Sequence, residues 1–107
     1  MVQRRRGGRR TKEIDVLARV RASVAAGKYF DTRHANARKL ERVITLPEVL
    51  YVLKNGFHEK KKDEFKEEFK AWNYAIRGAT LDKRQLRICV SFDPRGMLII
   101  TTIDLDV

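Results

Sequence analysis

The side chains best suited to chemistry in this sequence are a histidine and several arginines. His34, Arg38 and Arg42 follow one another at intervals of four residues, so a helix would align them in one row. Imidazole can take up or release a proton near neutral pH, and guanidinium groups bind phosphate oxygens in pairs. Arg77 and Arg87 fall in segments that have the periodicity of strands. This combination predicts binding and acid–base chemistry at a phosphate group.

Cleavage of RNA needs few protein groups, because the substrate's own 2′-hydroxyl can act as the nucleophile. The protein must accept the proton of that hydroxyl, protonate the leaving 5′-oxygen and balance the charge that grows on the phosphate. His34 suits the proton transfers, and the arginines suit the charge. Tyr74 or Trp72 could stack on a base. Lysines in the middle of the chain could steer the nucleic-acid backbone, namely Lys60, Lys61, Lys62 and Lys66.

A structural interpretation competes with each of these roles. A histidine near the start of a helix often lies on the surface or caps the helix, and Arg38 and Arg42 could pair with Glu41. Trp72 and Tyr74 belong to residue types that fill a core more often than they stack on a base. The lysines alternate with acids, which is typical of a solvated surface. The residues alone therefore leave both a catalytic and a non-catalytic binding protein open.

Metal and thiol chemistry find little support. His34 and His58 are the two histidines, 24 residues apart, without spaced carboxylates or thiols around them, so we expect no metal and no other cofactor. Cys89 is the single cysteine and lies within a predicted strand, where we expect it to pack as a small side chain. One cysteine permits no internal disulfide, which favours the cytoplasm, and no apolar run is long enough to cross a membrane.

The charge pattern points to a polyanionic partner. The formal net charge is +10, and residues 1–12 contribute +6 of it without a single acid. We expect residues 1–11 to form a disordered basic arm that contacts phosphates through Arg4, Arg5, Arg6, Arg9 and Arg10. A leader without a binding role is the alternative for this arm. Residues 12–107 have the length and composition of one small domain, for which RNA is the favoured partner.

Three helices are predicted in the first half of the chain. Residues 12–26 have apolar side chains at helical spacing, followed by Gly27 as a C-terminal cap: Ile14, Leu17, Val20 and Val24. Asp31 or Thr32 could cap a second helix that runs to about residue 42. Thr45 and Glu48 fit a capping box that would start the third helix.

The second half of the chain has the periodicity of strands. Apolar side chains alternate with polar ones or form a continuous run over 72–77, 86–92 and 97–103. Residues 93–96, Asp-Pro-Arg-Gly, favour a type I turn, so these strands should form an antiparallel meander. The apolar run of the last strand predicts a central or heavily covered position. Residues 57–60 could add a first strand, and 63–70 could be helix or loop.

The order of residues from Thr32 onward resembles a known pattern. It comprises Thr32-x-His34-Ala35-x-x-Arg38-x-x-x-Arg42-x-Ile44, Glu48-Val49-x-x-Val52-Leu53-x-x-Gly56, Tyr74-x-Ile76-x-Gly78, Leu86-x-Ile88-x-Val90 and Leu98-Ile99-Ile100-Thr101. In these motifs, over residues 29–105, the chain resembles a family of short bacterial proteins of an uncharacterised domain type. That family is commonly grouped with the RelE- and BrnT-like toxin nucleases of toxin–antitoxin systems.

The chain is also more loosely similar to the motility quorum-sensing regulator toxins, which are mRNA interferases. That similarity lies in three stretches, Ala26-Gly27-Lys28, Asp63-Glu64-Phe65-Lys66 and Trp72. Together the resemblances imply an α+β, RelE-like fold with two or three helices on one face of a twisted, three- or four-stranded antiparallel sheet. They further imply a metal-independent endoribonuclease that acts on mRNA and has an antitoxin partner.

For the site, the resemblances imply a catalytic Lys66 and a polar pair of His34 and Arg38. Two departures weaken this transfer: the arginine-rich arm is extra, and no lysine follows the last strand, where the interferases have one. We therefore expect His34, Arg38, Lys66 and Arg77 to act in catalysis. The residues expected to bind RNA are Arg42, Lys60, Lys62, Tyr74, Arg87 and the arginines of the arm. The alternatives are a non-catalytic RNA- or DNA-binding module and a protein that binds an acidic partner.

Overall fold

The computed structural model describes residues 12–33 and 44–106. Helices and strands both occur in these residues, so the α+β class is confirmed. A single turn of 3₁₀ helix, Lys60–Lys62, separates the second and third strands. The elements are, in chain order, α1 Val16–Ala26, β1 Tyr29–Asp31, α2 Leu46–Asn55, β2 Phe57–His58, β3 Glu64–Lys66, β4 Ala71–Ala79, β5 Gln85–Asp93 and β6 Gly96–Asp104.

The strands form one open, mixed sheet in the order β1-β6-β5-β4-β2, and β3 also pairs with β4. The predicted antiparallel meander of β4, β5 and β6 is confirmed. Both β2 and β3 are antiparallel to β4, so the segment left open between helix and loop contains a short strand. β1 was not predicted; it lies parallel to β6, with Tyr29 opposite Met97. The described sheet therefore has more strands than the three or four expected, and it is not purely antiparallel.

Helix α1 begins and ends at residues suited to those positions. The side chain of Asp15 accepts a hydrogen bond from the first turn, and Gly27 ends the helix in the left-handed conformation at φ 70°. Val20 is fully buried and Leu17 and Val24 are partly buried, as the helical spacing predicts, and Val16, which was not on the predicted line, is buried as well. Ile14 was expected on the same buried line, but it precedes the helix and is 93% exposed. That part of the prediction is wrong because the helix begins at Val16, after Ile14.

Helix α2 has the predicted capping box. The backbone N–H of Glu48 donates to the Thr45 hydroxyl at 3.3 Å, and the Thr45 N–H donates to the Glu48 carboxylate at 2.8 Å. Its buried side chains are Val49, Val52 and Leu53. Neither described helix is long and apolar enough to cross a membrane.

Both described helices pack on the same face of the sheet. The strand side chains that form the core with them are Tyr74, Ile76, Leu86, Ile88, Val90, Met97 and Ile99. No described helix lies on the opposite face, which we call the open face. Because side chains alternate along a strand, the open face carries Asn73, Ala75 and Arg77 of β4 and Arg87, Cys89 and Ser91 of β5. Met97 and Ile99 of β6 are buried under the helices. Ile103, near the end of the apolar run in β6, is 41% exposed, so β6 is heavily covered on its helix side but not on the open face.

Candidate nucleic-acid interface

Two of the predicted phosphate-binding arginines come together on the open face. β4 and β5 pair so that Arg77 lies directly opposite Arg87. The preceding and following residues, Ile76 and Ile88, are fully buried on the helix side, so both arginines point to the open face. Like charges directly opposite one another destabilise a sheet unless an opposite charge compensates them.

Glu59 supplies the compensating charge. Its carboxylate accepts hydrogen bonds from Nε and Nη2 of Arg87, at 2.8 and 3.3 Å, and lies 3.5 Å from Nη1 of Arg77. The Glu59 backbone N–H donates to the carbonyl oxygen of Ala75 at 2.8 Å, which fixes its backbone at the edge of β4. We call Glu59, Arg77 and Arg87 the Arg–Glu cluster. Two guanidinium groups and one carboxylate leave it with a net positive charge.

The protonation states in the cluster follow from these contacts. The hydrogen bond from Arg87 holds the pKa of Glu59 below its usual value, with a smaller contribution from the charges of Arg87 and Arg77. The same hydrogen bond raises the pKa of Arg87. Both shifts favour the charged forms of Glu59 and Arg87 at neutral pH. Arg77 is the more accessible arginine, with 37% of its side chain exposed against 16% for Arg87.

Lys66 lies on the open face but not in the Arg–Glu cluster. It pairs opposite Ala71, six residues along β4 from Arg77, which corresponds to about 20 Å of strand. Its Nζ lies 3.0 Å from a carboxylate oxygen of Glu64, and this contact raises the pKa of Lys66. The raised pKa keeps Lys66 an ammonium ion at neutral pH, which is suited to binding phosphate, and its catalytic role stays a prediction.

Lys60 and Lys62 lie in the 3₁₀ turn that follows the Arg–Glu cluster, and both are exposed. Their backbone continues directly from Glu59 along the edge of the sheet. They therefore extend the positive charge of the cluster toward solvent, as a role in backbone binding requires.

Tyr74 lies in the core on the helix side of the sheet. It is 4% exposed, and its hydroxyl accepts a hydrogen bond from the backbone N–H of Glu13 at 2.8 Å. Burial raises the pKa of Tyr74. Trp72 stacks on the tyrosine ring at a centroid distance of 6.5 Å. This placement favours the structural interpretation of Tyr74, because its ring has almost no surface for a base.

The remaining predicted site residues lie outside the described residues. They are His34, Arg38, Arg42, Arg4, Arg5, Arg6, Arg9 and Arg10. Their roles in catalysis and RNA binding stay predictions.

Sequence reasoning missed Glu59. A single glutamate between a short apolar strand and a lysine run has no periodic or motif signal, and its partners come from β4 and β5. One indirect indication was available from the sequence. If β4 pairs with β5 so that two arginines lie opposite each other, a nearby acid is expected to compensate their charges.

A second buried acid, Asp63, lies at the edge of the sheet. Its side chain is 1% exposed and contacts Nε2 of His58 at 2.8 Å and Nζ of Lys12 at 2.9 Å. It also accepts a hydrogen bond from the backbone N–H of Ala75 at 3.0 Å. The carboxylate thus takes a backbone hydrogen bond of β4 at the position between its pairing with β2 and its pairing with β3. In the part of the chain that the structure describes, no three His, Cys, Asp or Glu side chains are grouped to hold a metal ion.

One known protein family matches the part of the chain that contains most of these elements. The model of the domain of unknown function DUF4258 matches residues 32–104, more than half of the chain. The chain belongs to the DUF4258 family. The DUF4258 match includes α2, β2 to β6 and the whole Arg–Glu cluster, while α1 and β1 precede it. No curated protein and no solved structure matches this DUF4258 chain.

Proposed function

We propose that this chain is a toxin-like, metal-independent endoribonuclease with a RelE-like architecture, which cleaves mRNA and is controlled by a cognate antitoxin. The observation that carries the proposal is the Arg–Glu cluster on the open face. Guanidinium groups that converge beside a carboxylate combine the two functions that RNA transesterification needs, namely charge balance and proton acceptance. The sequence resemblance to the RelE- and BrnT-like nucleases points to the same chemistry.

In this mechanism the scissile phosphate binds between Arg77 and Arg87. The 2′-oxygen of the substrate attacks the adjacent phosphorus, and its proton passes to the carboxylate of Glu59. The bond from phosphorus to the 5′-oxygen breaks, which yields a 2′,3′-cyclic phosphate and a 5′-hydroxyl end. His34, the predicted acid–base residue, donates the proton that the leaving 5′-oxygen takes up. The arginines balance the charge that grows on the phosphate oxygens.

Binding of the substrate makes Glu59 a stronger base. A phosphate that takes up the hydrogen bonds of Arg87 withdraws them from the carboxylate, and its own negative charge lies close to Glu59. Both changes raise the pKa of Glu59 from its lowered value in the free protein. Proton acceptance is thereby linked to occupancy of the site.

A non-catalytic RNA-binding module is the second candidate. The lowered pKa of Glu59 favours it, because a carboxylate held by Arg87 is a weak base in the free protein. In that case the arginines contact phosphates, and Glu59 serves to keep them in place across the two strands.

Cleavage of a labelled mRNA by the purified chain, with and without EDTA, separates the two candidates. We expect cleavage that EDTA leaves unchanged and a 2′,3′-cyclic phosphate on the product. Glu59→Gln should lower the cleavage rate by about 100-fold or more with little effect on RNA affinity, in line with the loss of a general base. Arg77→Ala and Arg87→Ala should each lower both the cleavage rate and the RNA affinity.

Lys54→Ala is the matched control, because it removes an exposed cation from α2, on the other side of the sheet. RNA that binds to the open face and is never cut would support the binding module. Cleavage that Glu59→Gln and both arginine variants leave intact would overturn the site assignment.

A further inference from the structure

The open face has a second feature, a groove at the end away from the Arg–Glu cluster. It has a volume of about 260 Å³. Its walls are largely apolar and come from three places, with Phe69 in the β3–β4 turn, Ala71 in β4, and Leu98 and Ile100 in β6. Phe69 is 74% exposed, so a flat side of its ring is available to a ligand.

Three polar side chains line this groove, namely Asn73, Ser91 and Asp93, whose carboxylate accepts hydrogen bonds from Arg95. The carboxamide of Asn73 has no hydrogen-bond partner within residues 12–33 and 44–106, so its N–H donors and its oxygen are open to a ligand. The Ser91 hydroxyl donates its hydrogen to the carbonyl oxygen of Trp72 at 2.9 Å, which leaves the lone pairs of its oxygen as acceptors. An apolar slot edged by one carboxamide and by the hydroxyl and carboxylate acceptors of Ser91 and Asp93 fits a flat ring that has hydrogen-bonding groups on its edge.

The groove lies on the same face of the sheet as the Arg–Glu cluster. Asn73 and Arg77 lie on the same side of β4, four residues apart, which is about 13 Å of strand. Lys66 pairs opposite Ala71 at the groove itself and carries a positive charge there. One short single strand can therefore place a base in the groove, a phosphate near Lys66 and another phosphate between Arg77 and Arg87.

We propose that this groove is a nucleobase subsite for single-stranded RNA. Phe69 stacks on the base, and Asn73 pairs with its hydrogen-bonding edge. The inference rests on the proposed function, since it assumes that RNA crosses the open face. It assigns Phe69 and Asn73 as the residues that determine which base is bound about 13 Å along β4 from the reacting phosphate. It also places Lys66 among the residues that bind the RNA backbone.

Fluorescence anisotropy with labelled, fully 2′-O-methylated five-base oligonucleotides tests the subsite without cleavage. Phe69→Ala should weaken binding about 5- to 150-fold, the range that corresponds to the loss of one stacked base. Phe69→Trp should keep the affinity, because a larger ring still stacks. Asn73→Leu should reduce the difference in affinity among otherwise identical oligonucleotides that carry A, C, G or U at one position. Leu81→Ala is the matched control, since Leu81 is 80% exposed, against 74% for Phe69, but lies in the β4–β5 turn.

The failure of the subsite can be told apart from the failure of the proposed function. If the oligonucleotides bind, Arg77→Ala weakens them and Phe69→Ala behaves like Leu81→Ala, the subsite is wrong and the RNA-binding face stands. If the wild-type chain binds none of the oligonucleotides, the proposed function fails, and the subsite fails with it. If Phe69→Ala abolishes a dimer seen by sedimentation and leaves RNA binding unchanged, the groove is an interface between two copies of the chain, which overturns the subsite.

Discussion

Arg77 and Arg87 face each other across β4 and β5, and both contact the carboxylate of Glu59. Side chains packed opposite one another on a sheet are usually apolar, or they are oppositely charged. Here two guanidinium groups share one acid, so one positive charge is left over in a confined place. An anion that binds there completes the neutralisation. This surplus charge is the reason for proposing that an anion binds between the two arginines.

The first prediction concerns stability. Glu59→Gln should lower the free energy of unfolding by about 1–3 kcal/mol, because it leaves two arginines opposed without their carboxylate. The pKa of Glu59 is lowered in the folded state, so its contribution is full above its unfolded pKa and is lost as pH falls through the folded value. Urea unfolding at pH 7 and at acid pH measures both effects.

A double substitution provides the control for that prediction. Replacing Arg87 by Gln in the Glu59→Gln background should restore part of the stability, because the like-charge pair is then gone. Equal unfolding midpoints for wild type and Glu59→Gln at pH 7 would contradict the role given to the carboxylate.

Whether the sequence predicts a part of this site depends on how far apart along the chain the interacting residues lie. The capping box of Thr45 and Glu48 is local, and the sequence predicts it correctly. The alternation in β4 and β5 also predicts that Arg77 and Arg87 share a face. It does not predict Glu59 as their partner, because that contact depends on how β2 lies against β4. β1 escapes prediction for a similar reason, since three residues gain their strand conformation from pairing with β6.

The second prediction concerns the pH dependence of cleavage. Glu59 must be ionised to accept a proton, and its pKa in the free protein lies below the usual value of 4.5. The acid limb of kcat/KM reports the free enzyme, so its midpoint should lie below pH 4.5. The acid limb of kcat reports the substrate complex, so its midpoint should lie at a higher pH than that of kcat/KM. Single-turnover and steady-state rates from about pH 3.5 to 8 measure the two limbs. Limbs that coincide would show that substrate binding does not release Glu59 from Arg87.

The third prediction separates packing from base stacking at Tyr74. Tyr74→Phe removes the hydrogen bond from Glu13 and should cost about 1 kcal/mol of stability, while the ring keeps its place in the core. RNA affinity should stay within about twofold of the wild type, as anisotropy can show. A large loss of affinity at unchanged stability would mean that the tyrosine hydroxyl serves RNA, contrary to its burial.

The fourth prediction tests the arginines near the N-terminus. Deletion of residues 1–10 removes five arginines. If these arginines bind phosphates, RNA affinity should fall when they are deleted. The slope of log K against log salt concentration should also become less steep, by about 0.7 for each phosphate of a single strand that they neutralise. Titrations at several salt concentrations measure the slope, and an unchanged slope would show that this segment is only a leader.

The fifth prediction concerns Gly56, which joins α2 to β2 and so positions Glu59. A Cβ atom at Gly56 would lie 2.4 Å from the carbonyl oxygen of Arg77 and 2.7 Å from that of Val52, too close for either backbone to accept without moving. Gly56→Ala should therefore destabilise the chain by about 1–3 kcal/mol, the usual cost of overpacking, and displace β2 from β4. Because Glu59 directly follows β2 and Arg77 lies in β4, the cleavage rate should fall even under conditions where the variant is fully folded.

Gly27→Ala is the control for this substitution. It strains a left-handed turn at φ 70° at the end of α1 and touches no residue of the Arg–Glu cluster, so it should reduce stability without changing the cleavage rate of the folded protein. Urea unfolding gives the range of conditions in which each variant is folded, and single-turnover cleavage is then compared within that range. Cleavage by folded Gly56→Ala at the wild-type rate would show that the separation of β2 and β4 does not set the geometry of the Arg–Glu cluster.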